Sequence, residues 1–230
     1  STVAGNSNRE PCRIVVAGSY QDLKNMQGVA KALLQIRKCS ATHRIVIDWY
    51  GGMATDPTPY HRAARFIAEH ELGSDLRLHP PTKMIEVEFA SASAVGLFSF
   101  FEGLPNVVCE GMACGKPILL SNVCDAGNLV RDGKNGFLCD PNSPESMANA
   151  LRRLAATSDQ ERRQMGLESR RMAEELFGEN TVIDCYERIL KAAARRARIP
   201  ADSTWPAVVP ESAVRTVKHW ANGSQGSCER

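Results

Sequence analysis

The chain has 230 residues, 43% hydrophobic and 23% charged, with 28 Lys and Arg against 26 Asp and Glu for a formal net charge of +2. That length buries one substantial core, and the make-up is that of a globular protein rather than a disordered or collagen-like one. The near-balance of charge removes any global electrostatic footprint for nucleic acid, so no nucleic-acid partner is expected.

Taken in chain order, residues 1–11 are polar and read as a disordered leading segment. Residues 13–17, Arg-Ile-Val-Val-Ala, predict a strand ending at Gly18. Apolar residues Val29, Ala30, Leu33 and Leu34 at helical spacing predict a helix over 26–37. The unit then repeats. Residues 45–47 are a β-branched run leading to Trp49 and a Gly51-Gly52 turn, and residues 61–72 read as a helix stopped by Gly73. Residues 76–78 form a third strand and 83–90 a short helix.

Residues 94–98 are a fourth apolar run. A helix over 105–114 follows, with Pro105 in its first turn and Gly115 just past its end. Strands are expected at 117–120 and, after the Asn135-Gly136 turn, at 136–138. Short apolar strands alternating with helices specify a parallel sheet covered on both faces. The fold class is therefore a doubly wound, six-stranded α/β domain of Rossmann-like type over residues 12–142. From Ser143 the pattern is purely helical, with helices at 143–155, 158–177 and 181–197, and residues 143–199 are expected to pack on the core. Residues 200–230 lack periodicity and read as a disordered tail. The Asn222-Gly223-Ser224 sequon there reads as chance.

Eight cysteines are present without a C-x-x-C pair. Several lie in apolar runs, where a free thiol acts as a small hydrophobe, so no structural metal and a reducing, cytoplasmic setting are expected. No run of 18 apolar residues predicts a membrane-spanning helix. The first ten residues carry no apolar signal stretch. Basic residues gather between Arg152 and Arg198. They read as a solvated helix face, with peripheral contact to anionic lipid on the cytoplasmic side, or to a partner domain, as the alternative.

The stretch with chemistry is FEGLPNVVCEGMACGKP, residues 101–117. It follows a buried strand, so it lies in the crevice beyond the carboxyl ends of the strands, where open α/β sheets bind ligands. Gly103 permits a tight turn and close backbone approach to a ligand. The helix starting near Pro105 aims free N–H groups at that crevice, a ready site for a diphosphate. Glu110, among Val107, Val108, Cys109, Met112 and Ala113, is expected to sit in apolar surroundings and to need a polar partner. A carboxylate there can accept two hydroxyls of a vicinal diol. Glu102, ahead of the turn, can face the same pocket.

These residues resemble the donor-binding, C-terminal domain of the family 4 retaining glycosyltransferases of GT-B architecture. Two glutamates separated by seven residues, followed by Ala113-Cys114-Gly115-Lys116-Pro117, carry the resemblance. It continues through Ser121-Asn122-Val123, Asn135-Gly136-Phe137-Leu138, Met165-Gly166 and Arg170 to Tyr186, and back to Gly18 and Lys24. The resemblance implies that Glu110 binds ribose hydroxyls and Glu102 a hydroxyl of the transferred sugar. The backbone of Gly103, Leu104, Pro105 and Asn106 lines sugar and phosphate, Gly18 and Ser19 flank the diphosphate, and Lys24 neutralises it. The base rests near Pro81, Thr82 and Met84. It further implies no cofactor and no metal, a nucleoside-diphosphate sugar as substrate, retained anomeric configuration, and an acceptor domain ahead of this one, expected to lie outside these residues.

Two positions depart from the family. Ser19 stands where an arginine is usual, and Asn128 where a glutamate is usual. Other readings are a nucleotide-sugar epimerase or phosphorylase of the same architecture, and a binding module that keeps the pocket without the chemistry. A generic dinucleotide domain lacks its G-x-G-x-x-G.

Overall fold

The structure, a computed structural model, describes residues 10–39, 44–123 and 126–194. Nearly all of the expected leading segment and the whole 200–230 tail lie outside them. The elements run β1 (Cys12–Ala17), α1 (Met26–Lys38), β2 (Ile45–Tyr50), α2 (Thr58–Glu69), β3 (Leu76–His79), α3 (Ile85–Ser91), β4 (Ala94–Leu97), α4 (Asn106–Ala113), β5 (Ile118–Ser121), α5 (Ala126–Leu129), β6 (Gly136–Cys139), α6 (Pro144–Ala156), α7 (Asp159–Phe177) and α8 (Glu179–Ala194). The described residues fall into two compact units divided between Arg171 and Met172.

In the first unit all five strand pairings are parallel, in the order β3-β2-β1-β4-β5-β6. This is the doubly wound α/β sheet expected from the sequence. The chain winds outward from β1 to β3 and returns to place β4 beside β1, with Val15 opposite Val95. The switch point therefore lies between the carboxyl ends of β1 and β4, where such sheets open a ligand crevice.

Alternation divides the strand residues between two faces. Ile14, Val16, Ile47 and Trp49 pack with Val29 and Leu33 of α1 and with Met147, Leu151 and Leu154 of α6 in one core. Leu151 and Leu154 are fully buried, and truncating either to Ala costs roughly 2–5 kcal/mol. On the other face α4 comes close to the sheet. A Cβ added at Gly111 would stand 2.9 Å from the Val95 side chain. Gly136 is tighter still, its added Cβ 1.9 Å from the Ile118 carbonyl oxygen of the neighbouring strand.

Helix ends differ from the expectation in four places, each with a local cause. Residue Pro59 sits in the first turn of α2, which begins at Thr58, because proline is tolerated where N–H groups lack partners anyway. That helix ends at Glu69, and Glu71 (φ 55), not Gly73, takes the left-handed conformation after it. Helix α3 starts at Ile85, after the Thr82 hydroxyl accepts the Met84 N–H at 3.1 Å. Pro105 is extended (φ −80, ψ 96) and precedes the first turn of α4 rather than occupying it. Fully buried Phe98 lies one residue beyond β4.

The caps of the later helices follow the sequence signals. The Ser143 hydroxyl accepts the Ser146 N–H at the start of α6. Ser158 and Glu161 exchange reciprocal hydrogen bonds at the start of α7, a capping box. In the second unit, α8 exposes Val182, Ile183, Tyr186, Ile189 and Leu190. Among the described residues no helix is long and apolar enough to cross a membrane.

Candidate functional site

The site begins where β1 ends. Gly18 donates its N–H to the Tyr50 carbonyl, and its own carbonyl accepts the Trp49 indole N–H, each at 2.9 Å. Gly51 must be glycine to pass that carbonyl, since an added Cβ would lie 2.1 Å from it. Half-buried Ser19 follows, and its carbonyl accepts the Gln21 N–H. A single 3-10 turn, Asp22–Lys24, then lays the methylenes of Lys24 over Gly18, 3.6–3.8 Å from where a Cβ would stand.

From β4 the chain enters the same crevice. Phe100 donates its N–H to the Leu23 carbonyl at 2.9 Å, tying the two loops together. Glu102 then meets Lys24, Oε1 to Nζ at 2.5 Å, with side chains 16% and 20% exposed. Seventy-eight residues separate the two in sequence. Exposed Gly103 and Leu104 follow, then buried Pro105 and exposed Asn106. Nothing lies within 4 Å of a Cβ added at Gly103, and its φ is an ordinary negative one. The protein itself thus places no demand for glycine there.

Helix α4 opens on this turn. The N–H groups of Val108 and Cys109 return to the Pro105 carbonyl at 2.9 and 3.2 Å. Helix geometry leaves those of Asn106 and Val107 without intrahelical acceptors. Four residues along, Glu110 departs from its expected apolar setting: its side chain is exposed. Val108, Gly111 and Met112 turn to the sheet, and the rotation of about 100° per residue carries Glu110 away from them. No hydrogen bond or ion pair holds its carboxylate among the described residues.

Met84, expected near the base, is 59% exposed on the loop after β3, beside Pro81, whose ring lies 3.9 Å from a Cβ placed on Gly52. Gly18, Lys24 and Glu102 are thus brought into direct proximity. Glu110 and Met84 are bonded to none of them. A cleft of about 310 Å³ lies beside the pair rather than around it, lined by Gln21, Asn25, Gln27, Phe100, Pro141 and Asn142 among others.

A polar cluster next to this site was not read from the sequence. Asp48, 3% exposed in the middle of β2, accepts the Arg13 Nε–H at 2.6 Å and shares a 2.8 Å hydrogen bond with the His79 ring. Arg13 also reaches Glu88 of α3 at 2.5 Å, and His79 stacks on Tyr50 with centroids 4.6 Å apart. Burial alone would raise the Asp48 carboxyl, but hydrogen bonds from His79 and Arg13 outweigh it and hold the group below its ordinary range. Its signal was a lone Asp between Ile47 and Trp49, since a buried charge must be paired. Tyr20 supports the same edge, its hydroxyl reaching the His79 and Trp49 carbonyls at 2.5 and 3.1 Å. Burial, then the neighbouring Tyr60, pushes that phenol up to about 12.

Several residues of the Ala-Cys-Gly-Lys-Pro segment are architectural. Lys116 Nζ donates to the Ala90 and Ala92 carbonyls at the end of α3, at 2.6 and 3.0 Å. Burial lowers its pKa. Gly115 takes φ 66 past the end of α4, and a Cβ on Gly166 would stand 2.1 Å from its carbonyl. Arg170 donates to the last α4 carbonyl, that of Ala113, at 2.5 Å. Among the described cysteines, Cys39, Cys109, Cys114, Cys139 and Cys185 are free thiols. Burial pushes Cys109 up to about 11 and Cys139 to about 12, which disfavours the thiolate in both. No group of three or more His, Cys, Asp or Glu suited to a metal ion occurs among the described residues.

The family described as "Glycosyl transferases group 1" matches residues 11–157, from the first strand to the end of α6. This chain belongs to the group 1 glycosyltransferases. Curated relatives agree. A D-inositol 3-phosphate glycosyltransferase of Streptomyces griseus is 31% identical over 191 residues, covering 79% of this chain and 40% of the relative. One of the same name from Paenarthrobacter aurescens is 32% identical over 142 residues, covering 60% of this chain and 34% of the relative. The chain thus spans about a third to two-fifths of these relatives' length.

Solved glycosyltransferases share the fold. Anabaena HepE, solved with UDP and glucose, superposes with a TM-score of 0.69 at 19% identity, covering 80% of this chain and 48% of HepE. A glycosyltransferase from Rickettsia africae superposes at 0.72 and 16% identity, covering 82% of this chain and 49% of that one. The glycosyltransferase fold therefore positions the strand-turn-helix carrying Glu102 and Glu110 at the switch point of its sheet.

Proposed function

We propose that these residues form the donor-binding part of a retaining glycosyltransferase that moves a sugar from a nucleoside-diphosphate sugar to a glycan, lipid or polysaccharide-precursor acceptor. The observation that carries the reading is Lys24 and Glu102, 78 residues apart in sequence, meeting at the β1–β4 switch beside the free start of α4. In this reading the diphosphate lies between the Lys24 ammonium and the free N–H groups of Asn106 and Val107. Exposed, unpaired Glu110 accepts the ribose hydroxyls, and Glu102 accepts a hydroxyl of the sugar. Gly103 is glycine because a donor, rather than the protein, occupies the space where its Cβ would go. Leu104 and Pro105 line the sugar, Gly18 and Ser19 flank the phosphates, and Met84 borders the base.

Bond cleavage at the anomeric carbon places growing negative charge on the diphosphate. Catalysis therefore draws on positive charge already in position. Lys24 and the start of α4 supply it from protein groups alone, so the reading calls for no metal. The acceptor is held by residues outside this stretch, and the 230-residue chain binds donor while transferring sugar poorly.

The test is a thermal-shift screen with UDP, GDP and ADP and their sugars, on the chain and on Glu110→Ala. A matching nucleotide at 100 times its Kd stabilises the chain by about 2.7 kcal/mol, and Glu110→Ala loses that shift. A nucleotide that stabilises both proteins equally removes Glu110 from the site. Robust transfer by the purified chain would overturn the division between donor and acceptor. Product analysis separates transfer from epimerisation.

A further inference from the structure

Resting on that reading, we propose that Glu102 sets the selectivity between the intact donor and the spent nucleoside diphosphate. It does so by competing for the charge of Lys24. Lys24 Nζ and Glu102 Oε1 stand 2.5 Å apart, and both side chains are at least four-fifths buried. The pair is fixed by backbone as well as by charge. Phe100 bonds to Leu23, one residue before Lys24 and two before Glu102, and the Lys24 stem rests on Gly18. The Lys24 cation is therefore already neutralised by a carboxylate of fixed position.

A free nucleoside diphosphate reaching Lys24 brings further negative charge beside the Glu102 carboxylate, and its donors, the ribose hydroxyls, go to Glu110 instead. The two anions repel, in surroundings that screen charge less than water does. A nucleoside-diphosphate sugar brings the same diphosphate together with hydroxyls. An ionised carboxylate accepts and is never a donor, so those hydroxyls are the partners that replace what Glu102 gives up when Lys24 turns to the phosphates. The same carboxylate thus disfavours the product and favours the donor. Glu110, exposed and without a partner, makes no such trade and holds both ligands alike.

The inference is separable from the function it rests on. Isothermal titration would measure matched pairs, UDP with UDP-glucose, GDP with GDP-mannose and ADP with ADP-glucose, on the 230-residue chain, on Glu102→Gln and on Lys24→Met. Glutamine keeps the shape of the side chain, removes its charge and exchanges one acceptor oxygen for an N–H donor. The expected result is tighter binding of the free nucleoside diphosphate by Glu102→Gln, by about fivefold, the upper range for a partly exposed ion pair. Binding of the sugar form weakens in the same variant, so the preference for the sugar form narrows from both sides. Lys24→Met weakens both ligands.

A pair that serves only to hold the two loops would weaken both ligands in both variants, with a lowered melting temperature. That outcome overturns the inference and leaves the donor site standing. Unchanged nucleoside-diphosphate affinity in Glu102→Gln also overturns it. If the parent chain binds none of the six ligands, the proposed function itself falls.

Discussion

Around β2 and β3, Asp48, His79, Tyr50 and Tyr20, with Arg13 of β1 and Glu88 of α3, find their partners within the protein. On the β4 side, Glu110 is exposed without a partner, Gly103 faces open space and Leu104 is 57% exposed. Both regions carry carboxylates on the same sheet-based domain. The difference teaches that a carboxylate's presence in the domain does not reveal its role; whether the protein satisfies it does. Asp48 is more buried than either glutamate of the signature and more closely held. It is structural because its hydrogen bonds are consumed.

The comparison breaks most readily at Asp48. Replacing it by Ala takes a partner from Arg13 and from the His79 ring, and uncoupling such a buried pair costs roughly 3–5 kcal/mol. Calorimetry should show a fall in melting temperature on the order of 10 °C. A loss below 1 kcal/mol would mean the cluster is as dispensable as a surface pair.

Glu110→Ala is the opposite case. Its melting temperature should stay within about 1–2 °C of the parent. Nucleotide affinity should drop roughly tenfold or more, the usual range for a hydrogen bond to a charged group. A destabilised Glu110→Ala with unchanged binding would exchange the roles of the two regions.

Acid titration gives a smaller effect. The Asp48 carboxyl is held below its ordinary value of 3.8. A group depressed in the folded state contributes stability that is present above its unfolded pKa and lost as pH falls through the folded value. Denaturant midpoints measured between about pH 5 and 2 should therefore decline for the parent and decline less for Asp48→Asn. Equal slopes would show that the cluster does not titrate with folding. Asp132, held down by Arg153 against its own burial, adds to the parent slope in both proteins.

The smallest effect in stability is expected at Gly103→Ala. Nothing lies near the added methyl and φ is ordinary. Folding should therefore change by less than about 0.5 kcal/mol, while the sugar form of the nucleotide binds several-fold more weakly. Full retention of sugar-nucleotide affinity would place the donor elsewhere.

Much of this was legible in advance. β-branched runs and helical spacing located six strands and the helices between them, because burial on both faces makes parallel strands continuously apolar. The Glu102–Glu110 segment was legible because Gly, Pro and two carboxylates over nine positions have few structural explanations. Glu110's setting was misread. Apolar neighbours in sequence are not neighbours in space on a helix, where each step turns the side chain by about 100°. Asp48 gives no periodic signal, being a single charge in a strand, and its partners Arg13, Arg77 and His79 lie on two other strands.

The sequence by itself determined the family, the doubly wound sheet and the strand-turn-helix that carries the two glutamates. These follow from local pattern and from motif spacing within one segment. Only the tertiary structure decided that Lys24 meets Glu102, that Glu110 remains unpaired, and that Gly103 has room for something other than its own chain. Each of these depends on distances across the β1–β4 switch, between residues far apart in sequence, and such distances are set by how the strands are ordered in the sheet.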